Sequence, residues 1–108
     1  MGNMEKLTLS IFVPCFNEER NIIKTLNNIK ESVQDINYEI LVTDDGSKDK
    51  SVEIVEKYKK ENPNLNIKIF RNDTNQGLGF NYYATAYKAV GKFYMLVNGD
   101  AVEPKNTI

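Results

Sequence analysis

The chain of 108 residues contains no histidine. That absence excludes Ser-His-Asp and Cys-His catalysis within the chain, and with them every His-ligated metal. Cysteine occurs once, as Cys15, so no internal disulfide can form, which fits a reducing compartment. No apolar run approaches the roughly 18 residues that a membrane-spanning helix needs. The opening Met-Gly-Asn-Met-Glu-Lys has no signal-peptide pattern, and Lys6 stands where N-myristoylation wants Ser or Thr. The expected location is the cytoplasm, or the periphery of a membrane on its cytosolic side. Neither sign of charge dominates: 14 basic residues face 15 acidic ones, so no basic field recruits nucleic acid. Lys57, Lys59 and Lys60, with Glu53 and Glu56 nearby, fit a solvated helix face.

What is present is the composition of a globular domain, 41% hydrophobic and 27% charged. The length suits one small domain, not two. Apolar runs alternate with helical patterns. Leu7 to Val13 is short and β-rich and ends at Pro14, which predicts a buried strand. Asn17 can cap the helix that follows, with Glu18 and Glu19 in its positive first turn. Ile22, Ile23, Leu26, Ile29 and Val33 then recur at helical spacing. Tyr38 to Thr43 is a second strand, stopped by Asp44-Asp45-Gly46-Ser47. Ser47 or Asp49 can cap a second helix with Val52, Ile54, Val55 and Tyr58 on its apolar face, ended by Asn62-Pro63. Ile67 to Phe70 is a third strand, and Asn72 to Gly79 a polar loop. Phe80, Tyr83, Ala84, Tyr87 and Val90 mark a third helix, with Gly91 as its C-terminal stop and most of its tyrosines in the core. Phe93 to Val97 is a fourth strand, followed by Asn98-Gly99-Asp100. The order β-α-β-α-β-α-β predicts an α/β fold, a parallel sheet with helices on both faces. Residues 1–108 then form a single partial domain that stops short of a complete doubly wound unit.

In open parallel sheets, ligands bind beyond the carboxyl ends of the strands. Every polar cluster here falls at such an end: Pro14 to Glu18, Asp44 to Ser47, Arg71, and Asn98 to Asp100. Asp44 at its strand end can accept hydrogen bonds from a base N–H or a ribose hydroxyl; Asp45 suits either a ligand contact or a turn and helix cap. Asn98 and Asp100, two apart, project to one side of extended backbone, as oxygen ligands for Mg²⁺ or Mn²⁺ beside a diphosphate; an ordinary Asn-Gly turn is the competing reading. Asn75-Gln76-Gly77-Leu78-Gly79 lacks both glycine-rich phosphate-loop patterns, so its glycines serve positive φ or close approach. Arg71 can pair with phosphate or stand solvated. Cys15 is a small buried residue rather than a nucleophile.

Taken together, Ser10 to Glu19 (SIFVPCFNEE), Glu39 to Ser47 (EILVTDDGS), Asn75-Gln76-Gly77 and Gly91 to Asp100 (GKFYMLVNGD) resemble the family 2 glycosyltransferases, which have the GT-A nucleotide-sugar fold. The match runs in order over most of Leu7 to Pro104. Gly77-Leu78-Gly79 is similar to the branch that includes dolichol-phosphate mannose synthases. The resemblance implies a three-layer, mainly parallel sheet of order 3-2-1-4 and a nucleotide-diphosphate sugar as donor, with a UDP-sugar favoured. Pro14, Asn17 and Glu18 would line the base and ribose pocket. Asp44 would bind the base, and Asp45 would support the ribose or the loop. Arg71 and Gly77 would lie along the base and ribose edge. Asn98 and Asp100 match the family's Asp-X-Asp element, which holds a divalent metal on the diphosphate. The acceptor, a saccharide or a polyprenyl phosphate, would attack in line with inversion.

Two departures qualify that implication. Asn98 replaces the first Asp and brings no charge to the metal. The acceptor half of the family, with its general base, is absent, so no catalytic residue is assigned. A non-catalytic binding or interaction module derived from the same fold is the alternative. A phosphoacceptor receiver domain also has paired Asp residues, but its acidic pair should follow the first strand, where Pro-Cys-Phe-Asn-Glu stands here. The fourth strand would lie at a sheet edge, where Phe93 to Val97 invites pairing with a second copy.

Overall fold

The structure, a computed structural model, describes residues 7–97. Seven elements follow in turn: β1 (Leu9–Cys15), α1 (Ile22–Ser32), β2 (Tyr38–Asp45), α2 (Ser51–Glu61), β3 (Ile67–Asn72), α3 (Leu78–Ala86) and β4 (Phe93–Leu96). The four strands form one parallel sheet in the order β3-β2-β1-β4, the order expected.

The register divides the sheet into two unlike faces. Ile11 pairs with Ile40 and Ile40 with Ile67; Val13 pairs with Val42 and Val42 with Ile69. These β-branched residues meet Ile22, Leu26 and Ile29 of α1 and Val55 and Tyr58 of α2 in one buried cluster. Deleting any of the larger members would cost about 2–5 kcal/mol. The opposite face carries Ser10, Phe12, Glu39, Leu41, Thr43 and Asp45, all buried, and is packed by α3. Phe12 there meets the rings of Tyr82 and Tyr94, with centroids 6.0 and 6.2 Å away.

That second face corrects the expected orientation of α3. Phe80, Tyr83, Tyr87 and Val90 are exposed, while Asn81 and Thr85 turn inward. Tyr83 and Tyr87 are therefore not core, and Tyr82 is the half-buried one. The reason is chemical. Four of the six sheet residues named on that face are polar, so the inward positions go to side chains that can pair with polar groups: the Thr85 and Thr43 hydroxyls lie 2.6 Å apart, and Asn81 Oδ1 accepts the Asn72 amide at 2.7 Å.

Five boundaries differ from the expected ones. β1 continues through Pro14 and Cys15, which pair with Thr43 and Asp44. Thr8 and Phe12 carbonyls accept from β4, so Pro14, on the same alternation, turns its missing N–H toward β4 beyond the last β1–β4 pair, where no ladder bond is lost. β2 continues through Asp44 and Asp45, and β3 through Arg71 and Asn72, because Asp44 pairs with Arg71 and Asp45 with Asn72. α1 begins at Ile22, and Asn17 does not cap it. Gly91 does not end α3, which stops at Ala86. It lies against β1 instead, where a Cβ would come within 2.6 Å of Ser10.

Candidate nucleotide-binding rim

Extending β1, β2 and β3 to a common end brings three loops together at the carboxyl edge of the sheet. The β1–α1 and β2–α2 loops are stitched to one another reciprocally. The N–H groups of Asn17, Glu18 and Glu19 donate to Ser47 Oγ (2.9 Å), Ser51 Oγ (2.8 Å) and Asp49 Oδ2 (3.2 Å). In return the Lys48 N–H donates to Asn17 Oδ1 and the Lys50 N–H to Glu19 Oε1, both at 2.9 Å. Asn17 takes a positive φ of 53°, which asparagine tolerates better than most residues. Its side chain is engaged across the loops, which is why it caps no helix. Asp49 does serve the start of α2, since its Oδ1 accepts the Ser51 N–H at 3.0 Å.

Asp44 and Asp45, neighbours in sequence, face opposite ways. Asp44 has no exposed surface. Its carboxylate accepts the Ser47 N–H at 3.0 Å and the Ser47 hydroxyl. Arg71 Nε stands 3.9 Å away, a loose ion pair on a largely exposed side chain, worth little in stability. Asp45 is 5% exposed and anchors the loop between β3 and α3. Its Oδ1 accepts the Asn72 amide (2.9 Å) and the Gln76 N–H (2.7 Å), and its Oδ2 accepts the Gly77 N–H (2.9 Å). Burial pushes its pKa up, but the Gln76, Asn72 and Gly77 donors outweigh that and hold it below the ordinary carboxylate value. Gly77 sits at φ 94°, so the loop can turn into α3 only with glycine there.

Between these loops lies a cavity of about 360 Å³ lined by Pro14, Cys15, Phe16, Glu18, Asp45, Asn75, Gly77, Leu78 and Asn81. Pro14, Glu18, Asp45 and Gly77 therefore come together as expected. Asn17, Asp44 and Arg71 do not line it. Arg71 borders a separate cavity of about 640 Å³ with Glu19, Lys48, Asp49 and Lys50. A larger hollow of about 790 Å³ runs along α2 and β3, lined by Glu53, Glu56, Lys57, Lys59, Lys60, Pro63 and Ile69. Phe16, Asn75, Leu78 and Asn81 line the rim cavity although no role was read for them; Phe16 and Asn75 lay inside recognisable motifs, but nothing in those motifs says which side chains point inward. Cys15 is buried beside Asp44, and burial, with that carboxylate, pushes its thiol up to about 12, which makes it inert as a nucleophile.

Asn98 and Asp100 lie outside the described residues. Among the described residues no group of three acidic, Cys or His side chains could hold a metal ion. Asp44 and Asp45 are already committed to internal donors, so the described rim does not by itself fit a divalent cation.

Comparison with known proteins agrees with this architecture. The family model described as "Glycosyl transferase family 2" matches residues 10–108. A dolichyl-phosphate beta-glucosyltransferase of Dictyostelium discoideum is 30% identical over 104 residues, covering 90% of this chain and 32% of that protein. The Staphylococcus aureus poly(ribitol-phosphate) beta-N-acetylglucosaminyltransferase TarS is 34% identical over 104 residues, covering 94% of this chain and 18% of its own length. The crystal structure of S. aureus TarS 1-349 in complex with UDP superposes with a TM-score of 0.76 at 34% identity, over 87% of this chain and 28% of that one. A Pyrobaculum calidifontis mannosyltransferase in complex with GDP-Man and Mn²⁺ superposes at 0.82 with 24% identity, over 94% and 30%, a likeness of fold. The chain thus spans a third or less of the length of these relatives. The sheet order and helix placement are those of the GT-A glycosyltransferases.

Proposed function

The chain belongs to glycosyl transferase family 2, and from that premise we propose that its rim binds a nucleotide-diphosphate sugar, a UDP-sugar by preference, as donor for inverting transfer to an acceptor. The observation that carries this reading is the cavity between the β1–α1 loop and the Asp45-anchored loop. It lies beyond the carboxyl ends of parallel strands, where such folds hold nucleotides. It combines apolar walls, Phe16 and Leu78, with polar groups at its base, Glu18, Asp45 and Asn81, the mixture that ligand pockets use. Asp44 and Arg71 enter the reading as a pair at the neighbouring strand ends, able to meet a base or ribose if Arg71 swings off the carboxylate. Asn17 holds the two loops in register.

A divalent cation, Mg²⁺ or Mn²⁺, belongs to this reading through Asn98 and Asp100. Bound on the diphosphate, it would neutralise charge on the departing nucleotide. The acceptor is a polyprenyl phosphate or a saccharide; one relative is named for dolichyl phosphate and another for poly(ribitol-phosphate). A polyprenyl-phosphate acceptor would bring the protein to the cytosolic face of a membrane. The test is residue-specific: UDP added to labelled protein should shift the amide resonances of Phe16, Glu18, Gly77 and Leu78. Shifts confined to Glu53, Lys57 and Lys60, around the larger hollow, would reject the rim as the site.

A second reading, a non-catalytic nucleotide-binding module, is favoured by one observation: both rim aspartates are enclosed and committed to internal hydrogen bonds. Turnover of a UDP-sugar by the 108-residue chain would exclude it.

Self-association completes the proposal. Eight of the ten large apolar side chains exposed among the described residues fall between Leu78 and Leu96, and an apolar concentration of that kind marks an interaction surface. Neither α3 nor β4 contains a charged residue, so two copies can meet there, edge strand to edge strand, with Lys88 and Lys92 between the two elements. Sedimentation at rising concentration should show a dimer; a monomer throughout would contradict it.

A further inference from the structure

β4 meets β1 over four residue pairs, from Leu9↔Phe93 to Phe12↔Leu96. Its side chains, Phe-Tyr-Met-Leu, are apolar on both faces, and Phe93, Met95 and Leu96 are exposed. Alternation between a buried and a solvated face, which ordinarily specifies register, is therefore missing. Tyr94 alone turns inward, its hydroxyl donating to the Tyr82 carbonyl at 2.7 Å. That hydrogen bond ties β4 to α3, the element that leads into it, while the Tyr94 ring meets Phe12 of β1.

The side-chain hydrogen bonds that tie this segment to the sheet lie at the other end, at the amino edge of β1 and β2. Glu39 is fully buried there. Its Oε2 accepts the Ser10 hydroxyl at 2.6 Å and the Val90 N–H at 2.8 Å. Ser10 Oγ in turn accepts the Gly91 N–H at 2.7 Å. Lys68 Nζ lies 2.9 Å from Oε1 and balances the charge. Two consecutive N–H groups just before β4 are thus each bound by one acceptor from β1 or β2. The seat is also steric: a Cβ on residue 91 would lie 2.6 Å from Ser10 N and Oγ. A slip of one residue would push the Cβ of Val90 or Lys92 into that space.

We infer that Ser10 and Glu39 form a positioning pair that sets the register of β4 on β1, and with it the face of the sheet that Val97 takes at the carboxyl end of β4, where it packs against the core. A one-residue slip would turn Val97 off the core.

The experiment is hydrogen exchange of the intact chain, with Ser10→Ala and Glu39→Gln beside the wild type. The Phe93 and Val97 N–H groups, bonded to the Thr8 and Phe12 carbonyls, report the β1–β4 ladder. The Ile40 N–H, bonded to the Asn66 carbonyl, reports the β2 edge of the sheet. Loss of a hydrogen bond to a charged group should speed exchange at Phe93 and Val97 by roughly tenfold or more relative to Ile40. Equal acceleration at all three would mean general destabilisation and would overturn the inference, as would unchanged protection in both variants.

Discussion

Asp45→Asn removes the charge on which the loop before α3 is hung while keeping the size of the side chain. In the native protein the carboxylate accepts from the Asn72 amide and from the Gln76 and Gly77 N–H groups, at 2.7 to 2.9 Å. An asparagine offers one carbonyl oxygen and turns an N–H₂ toward the remaining donors. Hydrogen bonds to a charged group contribute about 1.5–3 kcal/mol each, but the loop is exposed and water can take up part of the loss, so we expect a net cost of ~2 kcal/mol. For a domain of this size that lowers the midpoint of thermal unfolding by roughly 10 °C. The pH dependence has a definite sign. The folded-state pKa of Asp45 is depressed, so its stabilisation is complete above the unfolded carboxylate value and is lost as pH falls through the folded one. Urea unfolding of both proteins should therefore show a gap that is constant from neutrality down to about pH 5 and closes in acid below the ordinary carboxylate pKa of about 4. A gap under ~0.5 kcal/mol at neutral pH, within the range of ordinary surface substitutions, would refute the anchoring role, and so would a gap that persists unchanged into acid.

Asn17→Ala removes the acceptor for the Lys48 N–H and a residue type that tolerates φ 53° better than alanine; we expect a loss of ~1–2 kcal/mol, read by chemical denaturation. Gly91→Ala places a methyl within 2.6 Å of Ser10 and should cost ~2–3 kcal/mol, whereas Gly79→Ala, in open space on α3, should be neutral or stabilising by up to ~1 kcal/mol in the same assay. Cys15, buried with its thiol near 12, should resist a thiol reagent at neutral pH in the native state and react once urea unfolds the chain.

The strands and their parallel order were legible because buried parallel strands appear as unbroken β-branched runs. Their ends were not. Pro14, Asp44, Asp45, Arg71 and Asn72 have the composition of loops, and only pairing with neighbouring strands keeps them extended. α3 misled for a related reason. Phe80, Tyr83 and Tyr87 have the spacing of a core stripe, yet the sheet face beneath the helix carries Thr43, Asp45 and Glu39. Asn81 and Thr85 become the inward residues only once that face is known. Asn17 was read as a local cap, while its partner Lys48 is thirty-one residues away. At the rim, the motifs located Pro14, Glu18, Asp45 and Gly77 around one cavity. They could not show that Asp45 is occupied with the loop, since its donors Asn72, Gln76 and Gly77 lie elsewhere in sequence, or that Asp44 is enclosed, which follows from packing and not from its neighbour Ser47.

The central claim is that the rim binds a nucleotide diphosphate, and calorimetric titration with UDP and with GDP, each with and without Mn²⁺, tests it most directly. The account predicts saturable binding of one nucleotide per chain, tighter for UDP, and weaker for Arg71→Ala. Binding that does not depend on Mn²⁺ would keep the cavity and remove Asn98 and Asp100 from the site. Absence of binding by both nucleotides would contradict the account.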